Sequence, residues 1–83
     1  MKWDPEKNAR LKLERGVSFE EIIQAEPVGV IKHSRRTHQH LLLFLYKGYV
    51  WVVPYVHCDG GRFLKTLFPS RKYTKMLKRG ELL

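Results

Sequence analysis

The spacing of apolar positions changes once along the chain, from helical before Pro27 to strand-like after it. Asp4 can cap a first helix, Pro5 suits the first helical position, and Gly16 suits a left-handed helix end. Ser18 and Glu21 then form a capping-box pattern, with Val17 and Ile22 as the accompanying hydrophobic staple. Phe19, Ile22 and Ile23 form one apolar stripe. The pattern predicts two short helices, the second ending at Pro27.

After Pro27, β-branched and aromatic residues dominate, and turn signals separate them into short runs. The predicted strands are Val28 to Ile31, Leu41 to Tyr46, Tyr49 to Val56 and Arg62 to Phe68. The polar, cationic stretch from Lys32 to His40 reads as a loop. Pro69 should break the last strand, and Ser70 can cap a final basic helix that reaches about Arg79.

Two hairpin signals, Lys47-Gly48 and Asp59-Gly60, fix the register of the predicted strands. His40 should then lie opposite Tyr55, and His57 opposite Arg62. One face of the sheet gathers Tyr55, His40, His57, His38 and Arg62 at one end. The other face carries Val50, Val52, Val56, Leu41, Leu43, Leu45, Phe63 and Leu67. We expect this aliphatic face to meet the N-terminal helices, leaving the aromatic and cationic face for a ligand, partly beneath the C-terminal helix.

These elements predict an α+β fold, with two N-terminal helices on an antiparallel meander of three to four strands and a C-terminal basic helix. The 83 residues allow a single domain, 1–83. Lys47, Gly48 and Pro54 interrupt the longest apolar stretch, which excludes an ordinary membrane span. With no signal segment, we expect a cytoplasmic protein without a membrane partner. A single cysteine, Cys58, excludes a disulfide framework.

Positive charge is concentrated in the C-terminal two thirds of the chain. Residues 1–27 carry five Lys/Arg and six Asp/Glu, whereas residues 28–83 carry eleven Lys/Arg and two Asp/Glu. The net charge of the whole chain is +8. Such a one-sided excess is typical of nucleic-acid binding, although a merely solvated basic face remains the alternative. Zinc is a weaker alternative: His38, His40, His57 and Cys58 include ligand types, but adjacent His57 and Cys58 should point to opposite faces. We therefore expect no metal and no cofactor.

Several motifs resemble the BrnT family of bacterial toxins, and they follow the family's order over almost the whole chain. They are Asp4-Pro5-Glu6-Lys7-Asn8, Arg15-Gly16-Val17-Ser18-Phe19-Glu20-Glu21 and Pro69-Ser70-Arg71-Lys72. The segments from Gly48 to Pro54 and from Phe63 to Thr66 resemble one branch of that family. The resemblance implies a RelE-like fold, a ribonuclease activity that inhibits translation by cleaving mRNA, and a cognate ribbon-helix-helix antitoxin.

The resemblance also suggests site residues. Arg71 and Lys72 match the family's basic pair at the start of the final helix. The family generally places an arginine five residues before that pair, where this chain has Thr66 beside Lys65, and Tyr73 replaces a usually small residue. Lys65 and Arg62 are the cations available to substitute.

Metal-free RNA cleavage uses the substrate's own 2′-OH as nucleophile, so the enzyme must stabilise charge on the phosphate and move protons. We predict a catalytic set in which Arg71 and Lys65 contact the phosphate, Arg62 assists, and His57 carries the proton. The predicted RNA-binding residues are Lys72, Tyr73, Lys75, Tyr55 and His40, with the tyrosines stacking on unpaired bases.

Two other functions stay open. The first is a non-catalytic RNA- or antitoxin-binding module of the same fold, which the Thr66 difference favours. The second, sequence-specific DNA binding, is weaker because the two adjacent helices lie in the acidic part of the chain. The partners expected on the first hypothesis are mRNA, free or on the ribosome, and the antitoxin.

Overall fold

The computed structural model describes residues 1–32 and 39–82, which form three helices and a small antiparallel sheet in an α+β arrangement. Its elements are α1 (Pro5–Arg15), α2 (Phe19–Ile22), β1 (Glu26–Lys32), β2 (Gln39–Tyr46), β3 (Tyr49–Cys58), β4 (Gly61–Leu64), β5 (Phe68–Pro69) and α3 (Arg71–Lys78). Most of the predicted Lys32–His40 loop lies outside the described residues. Its ends belong to strands, since Lys32 closes β1 and His40 lies in β2.

The two N-terminal helices begin and end as the sequence predicts, apart from the end of α2. Asp4 accepts a hydrogen bond from the Glu6 N–H, and Gly16 ends α1 with a φ of 75°. Ser18 and Glu21 make both bonds of the capping box. The prediction that Pro27 ends α2 was wrong, because that helix stops at Ile22 and Pro27 lies in β1. β1 is an edge strand, where the missing N–H of proline is tolerated.

A clasp of polar side chains fastens α1 to α2. The Lys12 ammonium donates to Glu21 at 2.8 Å, and the Asn8 amide group donates to Glu20 while its oxygen accepts from the Phe19 N–H. Lys12, together with the Ser18 N–H, lowers the pKa of the Glu21 carboxyl to about 2. A helix of four residues is too short to be stable alone, so α2 is held by its cap and by its contacts with α1.

The strands are ordered β1-β2-β3-β4, and both hairpin registers are confirmed. Around Lys47-Gly48, Phe44 pairs with Trp51 and His40 with Tyr55. Both turn residues have positive φ, 53° and 76°, as a two-residue type I′ turn requires. Around Asp59-Gly60, His57 pairs with Arg62.

The predicted strand from Arg62 to Phe68 is in fact two short strands, β4 and β5. Both pair with β3, on the edge that β2 leaves free. Leu64 and Leu67 are both buried in the same hydrophobic cluster, although residues three apart in a regular strand point to opposite faces. The chain therefore leaves strand geometry between them, and Pro69 lies within β5 instead of ending the longer strand.

The two faces of the sheet are covered by different helices. One cluster, here called the N-terminal core, joins residues of α1 and α2 to the aromatic face of the sheet: Leu11, Val17, Phe19, Ile22, Leu42, Phe44, Val53, Tyr55, Leu64 and Leu67. The other, the C-terminal core, joins the aliphatic face to residues of α3 and beyond: Leu43, Val50, Val52 and Leu82, with Tyr73, Met76 and Leu77 packed against them.

This arrangement reverses the predicted one. The aliphatic face meets α3 instead of the N-terminal helices, and the aromatic face lies under α1 and α2 instead of α3. Leu67, assigned to the aliphatic face from the sequence, lies in the N-terminal core. Both faces are apolar enough to be buried, so each can accept a helix.

Backbone and hydroxyl hydrogen bonds hold α3 against β3. Ser70 caps the helix by accepting from the Tyr73 N–H, as predicted, and its own N–H donates to the Val50 carbonyl at 2.8 Å. The buried Thr74 hydroxyl accepts from the Val50 N–H and donates to the Ser70 carbonyl. These contacts place the start of α3 beside Val50. Within residues 1–32 and 39–82, no helix is both long and apolar enough to cross a membrane.

Candidate functional site

Strand pairing brings four polar or aromatic residues together at one end of the sheet. His40 faces Tyr55 across β2 and β3, and His57 faces Arg62 across β3 and β4. Tyr55 and His57 are two residues apart on β3, so they share a face of the sheet. We call these four residues the His–Tyr–Arg cluster; His38, predicted to join them, lies outside the described residues.

The Tyr55 ring is the centre of this cluster. The His40 ring stacks on it with centroids 5.5 Å apart, and the His57 ring meets it edge-on at 5.6 Å. The guanidinium carbon of Arg62 lies 5.0 Å from the centroid of the Tyr55 ring, within cation–π range. The two imidazoles are themselves 5.4 Å apart. Two proton-carrying groups and one fixed cation are therefore within reach of one small ligand group.

Exposure divides the cluster into a buried support and an accessible rim. Tyr55 is only 3% exposed, His40 and Arg62 are half-buried, and His57 is exposed. A side chain so deeply buried and covered by its neighbours has no ring face for a base. This burial does not favour the predicted stacking of Tyr55 on RNA: Tyr55 supports the histidines and Arg62, and they are the groups a ligand would meet.

One nitrogen in the cluster has no hydrogen-bond partner within residues 1–32 and 39–82. His40 Nδ1 is buried and has no hydrogen-bond partner among the described residues. Unsatisfied buried polar atoms are uncommon in folded proteins and often belong to functional sites.

The N-terminal segment fixes the strand that carries Arg62. The Lys2 N–H donates to the Arg62 carbonyl at 2.8 Å, and the Lys2 carbonyl accepts from the Leu64 N–H at 2.8 Å. Trp3 next to it stacks on Phe19 at 5.5 Å, which anchors the segment to α2. Lys2 was not found from the sequence, since a few residues before Asp4 carry no strand pattern.

Lys65, a predicted phosphate ligand, lies outside the cluster. It follows the end of β4, and its ammonium lies 5.7 Å from the centre of the Phe63 ring. Phe63 pairs with Val56, on the opposite face of the sheet from Arg62. Lys65 is exposed and does not share a site with Arg62.

Arg71, the other predicted phosphate ligand, is even farther from the histidines. It begins α3 beside Val50, and His57 lies seven residues farther along β3. At about 3.3 Å per residue, this separation is about 23 Å along the strand. α3 also packs on the sheet face opposite the cluster. The predicted catalytic set of Arg71, Lys65, Arg62 and His57 is therefore not assembled, and only Arg62 and His57 meet.

The remaining predicted RNA-binding residues of α3 stay with Arg71. Lys72 and Lys75 are exposed, and the Lys72 ammonium lies 5.4 Å from the centre of the Tyr73 ring. Tyr73 is half-buried against the C-terminal core. Its ring is thus engaged both by the core and by Lys72, which leaves little room for the predicted stacking on a base.

Within the described residues, no carboxylate forms an ion pair with Arg62 or with the cations of α3. In the part of the chain that the structure describes, the one ion pair joins Lys12 to Glu21, on the N-terminal helices. Across the same residues, no three His, Cys, Asp or Glu side chains are placed to hold one metal ion. Arg62 and the cations of α3 are consequently available to an anionic ligand.

Comparisons of the chain with family models, curated proteins and solved structures gave no match.

Proposed function

We propose that this chain is a metal-independent endoribonuclease that cleaves mRNA, with the His–Tyr–Arg cluster as its cleavage site. The observation that carries the proposal is the placement of His40 and His57 with rings 5.4 Å apart beside Arg62. Two imidazoles can transfer the protons that cleavage of a phosphodiester requires, and a guanidinium can stabilise the charge that develops on the phosphate. The net charge of +8 adds a long-range attraction for RNA.

The reaction proposed for this site is an internal transesterification. The 2′-OH attacks the neighbouring phosphorus while one imidazole removes its proton. The bond from phosphorus to the 5′ oxygen breaks, and the other imidazole protonates that oxygen. The products are a 2′,3′-cyclic phosphate and a 5′-OH, with no net change in protons on the enzyme. Arg62 stabilises the charge that develops on the phosphate oxygens.

Each cluster residue has a separate role in this scheme. His57 is exposed and meets the substrate directly, whereas His40 is held in place by its stacking on Tyr55. Arg62 takes over the role that the sequence had given to Arg71 and Lys65, because neither of them reaches the histidines. Tyr55 orients all three groups without contacting RNA.

We further propose that the protein is the toxin of a type II toxin–antitoxin system with a RelE-like fold. The support comes from the motifs at the start of α1, at α2 and at the start of α3, which resemble the BrnT family. The proposed antitoxin is of ribbon-helix-helix type, and it would be acidic where it covers the cations.

A second candidate is a non-catalytic RNA- or antitoxin-binding module. The observation that favours it is the position of Arg71 and Lys72, which match the family's basic pair but lie away from the histidines. On this hypothesis, the cations bind RNA or the antitoxin and the cluster performs no chemistry.

Regulated expression in a bacterial host separates the two candidates. The nuclease hypothesis predicts growth arrest with loss of mRNA, both relieved by His57→Ala or Arg62→Ala. Lys65→Ala is the matched control, because it removes an exposed cation outside the cluster and should leave the arrest intact. Normal growth and intact RNA, with soluble folded wild-type protein, would support the binding module instead.

A further inference from the structure

The exposed side of α3 is a continuous cationic surface. Arg71, Lys72, Lys75, Lys78 and Arg79 are all exposed, and we call them the α3 basic face. Residues three and four apart lie on the same side of a helix, so these five side chains are neighbours. The opposite side of α3 is occupied, since Tyr73, Met76 and Leu77 pack against the sheet.

This concentration of charge works against the stability of α3. Arg71 and Lys72 lie in the first turn, where the helix dipole favours carboxylates, and that turn contains no acidic residue. Lys75 and Lys78 lie in the last turn, where the dipole favours cations, but Lys75 is repelled by Arg71 four residues before it and by Arg79 four residues after it. The one ion pair within residues 1–32 and 39–82 lies on α1 and α2. Among these residues no carboxylate forms an ion pair with a cation of α3, so an anionic ligand would relieve the repulsion.

The α3 basic face is a separate surface from the His–Tyr–Arg cluster. The two lie on opposite faces of the sheet, and the start of α3 lies about 23 Å along β3 from His57. A ligand held by both must pass around an edge of the sheet. At about 3.4 Å per nucleotide, a dinucleotide is too short for that path, whereas an RNA of about 20 nucleotides is long enough.

We propose that the α3 basic face is a second RNA-binding surface, which holds the ribose-phosphate backbone of an RNA whose distal part reaches the cluster. The inference rests on the proposed function for the identity of its ligand. Phosphate contacts fit better than base contacts, because Tyr73 is engaged by Lys72 and the core. A lipid surface fits poorly, because the apolar side of α3 faces the sheet instead of solvent.

Equilibrium binding tests this surface without requiring cleavage. The ligand is a labelled 2′-O-methyl RNA of about 20 nucleotides, which lacks the nucleophile and cannot be cut. The α3 variant combines Arg71→Gln, Lys75→Gln and Lys78→Gln. The matched control combines Lys7→Gln, Arg10→Gln and Arg15→Gln on α1, so both variants lose three positive charges. Circular dichroism confirms folding, and the α3 variant should remain folded because it loses like-charge repulsion.

The proposal predicts a loss of affinity of at least about tenfold for the α3 variant in about 0.1 M salt, and less than about threefold for the α1 control. The slope of log K against log salt should fall by about 2, since each lost phosphate contact removes about 0.7 for single strands. Equal losses in both variants would show that net charge alone binds RNA and would overturn the proposal. Unchanged affinity in the α3 variant, or no RNA binding by wild type, would also overturn it.

An RNA cleavage assay distinguishes failure of this inference from failure of the proposed function. The α3 variant should cut the longer RNA with a raised KM, whereas the α1 control should keep the wild-type KM. An unchanged KM for the α3 variant would contradict the proposed surface. If wild type cuts nothing while the α3 variant alone loses binding, the cleavage hypothesis fails and the binding surface stands.

Discussion

The rings of His40 and Tyr55 lie nearly parallel, 24° apart, with their centroids separated by 5.5 Å across the β2–β3 pair. Because Tyr55 is also a member of the N-terminal core, its ring joins the hydrophobic interior directly to the exposed His57 and the half-buried Arg62. The orientation of the candidate site therefore depends on the packing of α1 and α2, and not on α3.

Tyr55→Leu should disorder the cluster. Leucine keeps an apolar side chain in the core but removes the ring that His40, His57 and Arg62 contact, and the lost packing should cost about 2 kcal/mol of unfolding free energy. RNA cleavage should fall by more than the stability loss explains. Tyr55→Phe keeps the ring and should retain both the stability and the RNA cleavage of wild type. Equal cleavage by the Leu and Phe variants would contradict the supporting role of the ring.

Thr74→Val should weaken the docking of α3. The valine is similar in size but leaves the buried Val50 N–H without its acceptor, which costs about 1–3 kcal/mol. Thr74→Ser keeps the hydroxyl and should lose less unfolding free energy than Thr74→Val. Urea unfolding of the three proteins measures the difference, and a serine variant as unstable as the valine variant would assign the effect to the methyl group instead.

Glu21 should make stability depend on pH in the acid range. Its pKa is lowered from 4.5 to about 2 in the folded protein, chiefly by the hydrogen bond from Lys12. The ionised clasp therefore stabilises the fold fully above pH 4.5, and this contribution is lost as pH falls towards 2. Unfolding free energies of wild type and Glu21→Gln should differ near neutral pH and converge in acid. A constant difference would contradict the clasp.

The Lys47-Gly48 turn offers a site for stabilisation. Lys47 has a φ of 53°, a conformation that costs a non-glycine residue about 1–2 kcal/mol and that asparagine tolerates better. Lys47→Asn should therefore raise the unfolding free energy by about 0.5–1 kcal/mol, whereas Gly48→Ala should lower it by about 1 kcal/mol. Denaturant midpoints at an unchanged slope provide the measurement, and a destabilised Asn variant would argue against turn strain.

Local signals in the sequence predicted much of this fold. The caps at Asp4, Ser18 and Ser70 and the turns at Lys47-Gly48 and Asp59-Gly60 depend only on nearby residues. Two-residue turns fix the register, and the register alone brings His40 to Tyr55 and His57 to Arg62. The pairing of His40 with Tyr55 and of His57 with Arg62 was therefore predictable without knowledge of the packing.

Tertiary packing decided what the sequence left open. Alternation in β3 separates Val50 and Val52 from Val53 and Tyr55, but both sets are apolar, so the pattern does not say which helix covers which face. Because α3 covers the aliphatic face, Arg71 lies away from the histidines. The break after Leu64 was also missed, because only the burial of Leu67 on the same face requires it.

Analysis of RNA ends after incubation with the purified protein tests the central claim most directly. A chelator is present throughout, and the variants are His57→Ala, Arg62→Ala and the control Lys65→Ala. The account predicts 5′-OH and 2′,3′-cyclic phosphate ends from wild type and the control, with rates at least about 100-fold lower for His57→Ala and Arg62→Ala. Intact RNA with wild type, or undiminished cleavage by both cluster variants, would contradict it.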